Sequence, residues 1–194
     1  NIRNRCAIPT TTMAAVHTKI AELFRSISNQ TKAITHITQS ITYNPNYGPA
    51  HRYLADHFYQ KKQYAKVLPY INKSIHWTIQ KINNNPTTSN HHQKQLIEDY
   101  KLKARSYLAI GQCQNAINTY TLSLPYVTNP ENKSTILVER GMALFLLAKQ
   151  TNPFNKETIK KTTDQTHPNT ELVASALYQP YDSDGTSCYD ARLQ

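Results

Sequence analysis

A repeat of 34 residues constrains this chain more than any other feature. Residues 14–47 and 48–81 align without a gap. His17 falls on His51, Ile20 on Leu54, Ala21 on Ala55, Phe24 on Phe58, Ile37 on Ile71, Ser40 on Ser74 and Ile41 on Ile75. Within the first copy, Ala14, Val16, Ile20, Ala21, Leu23 and Phe24 form a stripe at helical spacing. Asn29-Gln30-Thr31 reads as a turn, with Asn29 a candidate N-cap for the next helix. Ala21 and Ala55 are small where two helices of a hairpin must approach, and Phe24 and Phe58 fill the space beside them. One such hairpin cannot bury its own apolar face, whereas stacked copies can. Asn-Pro at 44–45 and at 129–130 stops the preceding helix.

A third unit fits 97–130, with Tyr100, Ala104, Tyr107, Gly111, Ala116, Tyr120, Ser123 and Leu124 in place. A fourth is phased over 134–167 by Leu137, Gly141, Leu144 and Leu147, clearly so only in its first helix. Between the second and third units lies an insert, roughly 82–96, read as a helix extension, an exposed Asn/Pro/Thr loop and the start of the next helix. Residues 1–13 form an N-terminal extension, 169–178 a last helix that caps the stack, with Asn169 as its N-cap candidate, and 179–194 an acidic extended tail broken by Pro180 and Gly185.

The period and these residues resemble the tetratricopeptide repeat (TPR) family. In the second unit, Asn44-Pro45-Asn46-Tyr47-Gly48-Pro49-Ala50 resembles the family's inter-repeat turn, Leu54-Ala55 its Leu-Gly position, Phe58-Tyr59 its aromatic position and Ser74-Ile75 its Ala-Leu position. The resemblance implies an all-α, right-handed superhelical stack of three to four hairpins whose concave face, made by the first helix of each hairpin, holds a protein or peptide. By repeat position that face would show Thr18, Glu22 and Arg25, then Arg52, Asp56, Tyr59 and Gln60, then Lys101, Arg105 and Leu108, and then Val138, Met142 and Phe145. Arg52, Lys101 and Arg105 are the expected charge anchors and Tyr59 the aromatic contact. Chaperone-binding members clamp a terminal carboxylate with Lys, Asn and Arg. The matching positions here are Thr18, Glu22, Tyr53, Glu98 and Leu102, so the clamp is lost.

Composition narrows the remaining classes. Only four of 194 residues are Gly, which disfavours glycine-rich phosphate loops and hairpin-rich β folds. No GxSxG, P-loop or GxGxxG signature occurs, and the reading is of a non-enzymatic protein without cofactor. His17 and His51 read as structural side chains, and no His/Cys grouping has metal-ligand spacing. Asp182-Ser183-Asp184-Gly185 begins like a calcium loop but lacks the Glu at its twelfth position. The net charge is +10, yet it is uneven: 1–161 carries 21 basic and seven acidic residues, and 162–194 one and five. With no run of five basic residues and no Arg-rich arm, RNA binding by a helical repeat is the least favoured function, although the basic body permits it.

A self-assembling subunit of an extracellular fibre or large complex is the alternative reading. Residues 135–148 are apolar on most sides, which makes Leu137, Val138, Met142 and Phe145 a packing or oligomer surface. The acidic tail could dock on a neighbouring basic body. Cys6 and Cys188, outside regular pattern, are disulfide candidates in an oxidising compartment, while Cys113 reads as a buried small apolar group. Asn29, Asn72 and Asn132 open N-glycosylation sequons, a number that an Asn-, Ser- and Thr-rich chain reaches by chance. No apolar run is long enough to span a bilayer. The start at Asn1 rather than Met suggests a removed leader or a cut chain, and leaves a secreted, organellar or cytoplasmic location open.

Overall fold

The computed structural model describes residues 9–84 and 89–151. Its contacts divide the chain into Asn1–Ala148 and Lys149–Gln194, and the fold below is that of the first unit. The expected capping helix, acidic tail, Cys6 and Cys188 lie outside the described residues. The described residues are helical, without a strand. In order they form α1 (Thr10–Ser26), α2 (Gln30–Tyr43), α3 (Gly48–Gln60), α4 (Tyr64–Asn84), α5 (Ser89–Ala109), α6 (Cys113–Ser123), a short 3₁₀ turn at Leu124–Tyr126, and α7 (Pro130–Thr151). Successive helices pack on one another, α1 on α2, α3 on α4, α4 on α5 and α5 on α6.

The core follows the period. Ala21, Ala33, Ile37, Ala50 and Tyr53 make one buried cluster; Ala55, Val67, Ile71, Ile75, Leu96 and Tyr100 the next; Ala104, Ala116, Ile117, Tyr120, Ile136 and Ala143 the third. The expected close-approach alanines Ala21, Ala55 and Ala104 are all wholly buried. Ser40, Ser74 and Ser123, at one repeat position, are buried too. The insert resolves as read where it is described, α4 running on to Asn84 and α5 starting early at Ser89. Cys113 is buried and unbridged at the head of α6.

The fourth unit departs from the expectation. Gly141 is exposed, with open space where its side chain would stand, and Leu144 is exposed as well. Ile136 and Ala143 face the core instead. The seven-residue step from 136 to 143 is a helical stripe, and it rotates α7 relative to the phase that Leu137 and Gly141 imply.

The turns inside the hairpins repeat more faithfully than the side chains. Ser28 donates its N–H to Arg25 O and Asn29 to Phe24 O. Lys62 and Gln63 do the same toward Tyr59 and Phe58, and Gly111 and Gln112 toward Leu108 and Tyr107. The middle residue is left-handed each time, with φ of 58° at Ser28, 57° at Lys62 and 78° at Gly111. Only Gly adopts that conformation without a steric penalty at Cβ. Ser28→Gly is therefore expected to stabilise the first hairpin by about 0.5–1 kcal/mol, read as a rise in thermal midpoint. Asn29, directly after this turn, caps α2 as expected: its side-chain oxygen accepts from Lys32 N at 3.2 Å.

Candidate functional site

The face built by the first helices is lined by charged residues that already have partners. On α3, Arg52 donates from Nε to both oxygens of Asp56 at 3.1 Å, and from Nη1 to Asp99 of α5. Asp99 is wholly buried and also accepts from Ser74 Oγ of α4 at 2.6 Å and from Gln95 Nε2 at 2.8 Å. Burial pushes the Asp99 carboxyl up, and Arg52, Ser74 and Gln95 pull it back only in part. Burial also opposes the Arg52 charge, but Asp56 and Asp99 outweigh it and hold the guanidinium above its usual value. The network joins α3, α4 and α5 at the junction of two hairpins. The guanidinium of Arg52 and the carboxylate of Asp56 face each other rather than solvent alone.

One step along, Arg105 of α5 forks onto Glu139 of α7, with Nη2 at 2.5 Å from Oε1 and Nε at 3.3 Å from Oε2. Burial works against this cation too, and the Glu139 hydrogen bonds and charge raise it well above its ordinary range. Tyr59 of α3 lies beside the fork: burial raises its phenol, and Arg105 eases the rise. Its ring meets Tyr64 edge-on at 5.3 Å. Lys101 bonds Glu98 at 3.1 Å one turn away on α5, and Leu108 is half-buried against the third core cluster. Thus Arg105 and Glu139 pair across consecutive first helices within electrostatic reach of Tyr59, and Glu139 is a member that the sequence reading missed. The signal was available: Arg105 and Glu139 stand 34 residues apart.

Other expected residues fall elsewhere. Thr18 is buried, bonded to Ala14 O at 3.0 Å and to Ser40 Oγ at 2.9 Å, so it does not reach the face. Arg25 stacks over Tyr53, 5.0 Å from the ring centroid. Leu137, Val138, Met142 and Phe145 are exposed on α7, Val138 most of all at 62%. Of the sequons, Asn29 is half-buried in its cap, Asn72 is exposed within α4, and Asn132 is half-buried in the first turn of α7.

The histidines are packed into the hairpins. The His17 and His36 rings stack with centroids 5.3 Å apart, and their Nδ1 atoms are hydrogen-bonded at 3.0 Å. His51 is buried and donates from Nε2 to Pro45 O at 2.7 Å. Burial lowers its tendency to charge, and nearby Lys73 adds to that. Burial and Lys61 lower His57 likewise. A base held below its unfolded value of 6.5 contributes stability that is fully present above that pH and is lost as the pH falls through the folded value. The thermal midpoint is therefore expected to drop on going from neutral pH to below 6, and His51→Gln should flatten that slope. Among the described residues no three His, Cys, Asp or Glu side chains gather as a metal site, and no described helix is long and apolar enough to cross a membrane.

No protein-family model matches the chain, and no curated protein matches it. Among solved structures it is similar to the N-terminal domain of stress-induced protein-1 (STI-1) from C. elegans. The TM-score is 0.53 at 13% identity, covering 67% of this chain and 96% of that one. The likeness is one of fold. It spans nearly the whole of that domain, so the all-helical arrangement here is a known one and consistent with a helical repeat.

Proposed function

We propose that the chain is a TPR-type protein-interaction module without catalytic activity, which holds a peptide segment of a partner along the face of its first helices. The carrying observation is the Arg105–Glu139 ion pair, which links α5 and α7, with Tyr59 of α3 near enough to feel its charge and exposed Met142 one turn beyond Glu139 on α7. A half-buried tyrosine and a methionine flanking a neutralised ion pair supply an apolar contact with polar groups fixed in direction, as protein-binding hot spots require. Because Arg52 and Arg105 are each engaged by carboxylates of the chain, they orient the wall, and Tyr59, Leu108 and Met142 supply the contact. The lost carboxylate clamp favours an internal segment over a chain terminus. Panning a displayed peptide library against the chain tests this. Tyr59→Ala and Met142→Ala are each expected to weaken the selected peptides by about tenfold or more, with Lys32→Ala on α2 neutral. Peptides indifferent to both substitutions would remove the reading.

A second reading, self-association, is favoured by apolar surface at both ends of the series. α1 exposes Val16 and Leu23, with exposed Ile27 just after its end, and α7 exposes Leu137, Val138 and Leu144. In a stack, such faces are covered by the next unit. Light scattering across a concentration series, with Leu23→Glu as the variant, distinguishes a head-to-tail polymer from a monomer.

A further inference from the structure

Among the described residues, the acidic side chains are confined to one set of helices. Glu22, Asp56, Glu98, Asp99, Glu131 and Glu139 all belong to α1, α3, α5 and α7, and five of them are paired with cations of those same helices. Between Asp56 and Glu98 there is no acidic residue at all. That stretch holds Lys61, Lys62, Lys66, Lys73, Lys81 and Lys94, all exposed, and none of them meets a carboxylate among the described residues. Scattered in sequence, three of them are gathered by α4. Lys66, Lys73 and Lys81 share the solvent side of a helix whose other side buries Val67, Ile71, Ser74, Ile75 and Thr78. At 1.5 Å per residue they span about 22 Å, with Lys61 and Lys62 extending the row at its head. Two lysines are held in place by rings: Lys66 lies over Phe58 at 5.7 Å and Lys81 over Trp77 at 5.4 Å. Burial is the main cause that disfavours charge on His51 and His57, and Lys73 and Lys61 add to it.

We propose that this outer face of α4 holds the phosphate backbone of a nucleic acid without reading its sequence. The chemistry of the row selects that occupant. Every cation in it is a lysine, a point charge that meets phosphate in any orientation and lacks the planar fork with which Arg grips carboxylates. None of the exposed large apolar residues lies on α4, so neither a protein hot spot nor insertion into a bilayer has an anchor there. Exposed Gln63, Asn72, His76, Gln80 and Asn83 interleave the lysines as donors to phosphate and sugar oxygens. Sequence inspection missed the surface because no five basic residues are contiguous; the helix brings together residues seven and eight apart.

The test is fluorescence anisotropy of labelled mixed-sequence RNA and DNA strands of about 20 nucleotides, titrated with the full chain. Three to five neutralised phosphates on a single strand predict a loss of about 20- to 100-fold between about 50 and about 200 mM salt. Lys66→Gln/Lys73→Gln/Lys81→Gln should lower the log–log salt slope by about 2. Thermal melts on this variant check that the hairpins are intact, and Lys66→Glu/Lys73→Glu/Lys81→Glu should abolish binding. Lys32→Glu/Lys133→Glu/Lys149→Glu, equal in net charge, should stay within about threefold of the unmodified chain. Equal losses from both charge reversals would mean that net charge alone attracts the strand, and would overturn the proposal. So would a polyglutamate peptide that binds as tightly as the strands with the same dependence on the three lysines, since the occupant would then be an acidic protein segment.

Discussion

Asp99→Ala is expected to cost about 3–5 kcal/mol of folding stability, the loss seen when one member of a buried ion pair is removed. The carboxylate is wholly enclosed and has three partners, Arg52, Ser74 and Gln95, from three helices. Without it the Arg52 guanidinium keeps only Asp56, and the Ser74 hydroxyl is left without its acceptor in the core. Burial raises the Asp99 carboxyl even against Arg52, so desolvation consumes much of the attraction between them. The pair is therefore worth little as a pair and a great deal as a constraint. Arg52→Met/Asp99→Leu should recover most of the stability lost by the single change. A denaturation cycle on the parent, Arg52→Met, Asp99→Leu and the double variant measures this, with a coupling expected near or above 2 kcal/mol in magnitude. A single mutant that unfolds within about 1 kcal/mol of the parent would show that the network does not join the hairpins. Peptide binding on the first-helix face should weaken in parallel with Asp99→Ala, because α3 and α5 would lose the link that sets their spacing.

The sequence made the repeat plain because packing acts at fixed register. Ala21, Ala55 and Ala104 must be small, and their neighbours must be large, wherever two helices cross at the same point. The intra-hairpin turns obey the same register, even though Ser28, Lys62 and Gly111 share no side-chain chemistry. Backbone geometry is conserved there and residue type is not, so inspection sees only Gly111. The charge partners were harder to read. Asp99 lies beyond the insert, where the 34-residue phase is broken, and its partners Arg52 and Ser74 sit in the unit before it. Glu139 stands 34 residues after Arg105, but the fourth unit phased from 134 puts Met142 at that position, and the buried stripe of α7 runs through Ile136 and Ala143 rather than Gly141. A face built from several hairpins depends on how each helix is rotated, and periodicity gives spacing along the chain without giving that rotation.

Gly48→Ala carries the second large effect, and here a general preference and a local contact oppose each other. Alanine is favoured over glycine in a helix by about 0.5–1 kcal/mol, so the change should help α3 wherever there is room. At position 48 there is none: an added Cβ would lie 2.7 Å from two ring carbons of Trp77 and 2.8 Å from its Cβ. The indole cannot swing aside, because Tyr47 meets its edge at 5.8 Å, His92 lies 5.9 Å away and Lys81 covers the ring. The same register in the first hairpin has Ala14 opposite Tyr43, a larger residue traded against a smaller ring. Overpacking of this kind costs about 1–3 kcal/mol, more for Gly48→Val, whose branched carbon meets the same wall. The contact wins, and the variant should unfold at lower denaturant with an unchanged slope. Trp77→Ala in the same chain relieves the ring contacts but leaves the backbone-proximal Cβ in place, so the double variant should regain only part of the loss. Gly141→Ala supplies the counterpart: with open space around its position it should be neutral or stabilising by up to about 1 kcal/mol. If both glycines respond alike, close approach of α3 and α4 at Trp77 is not what requires glycine at 48.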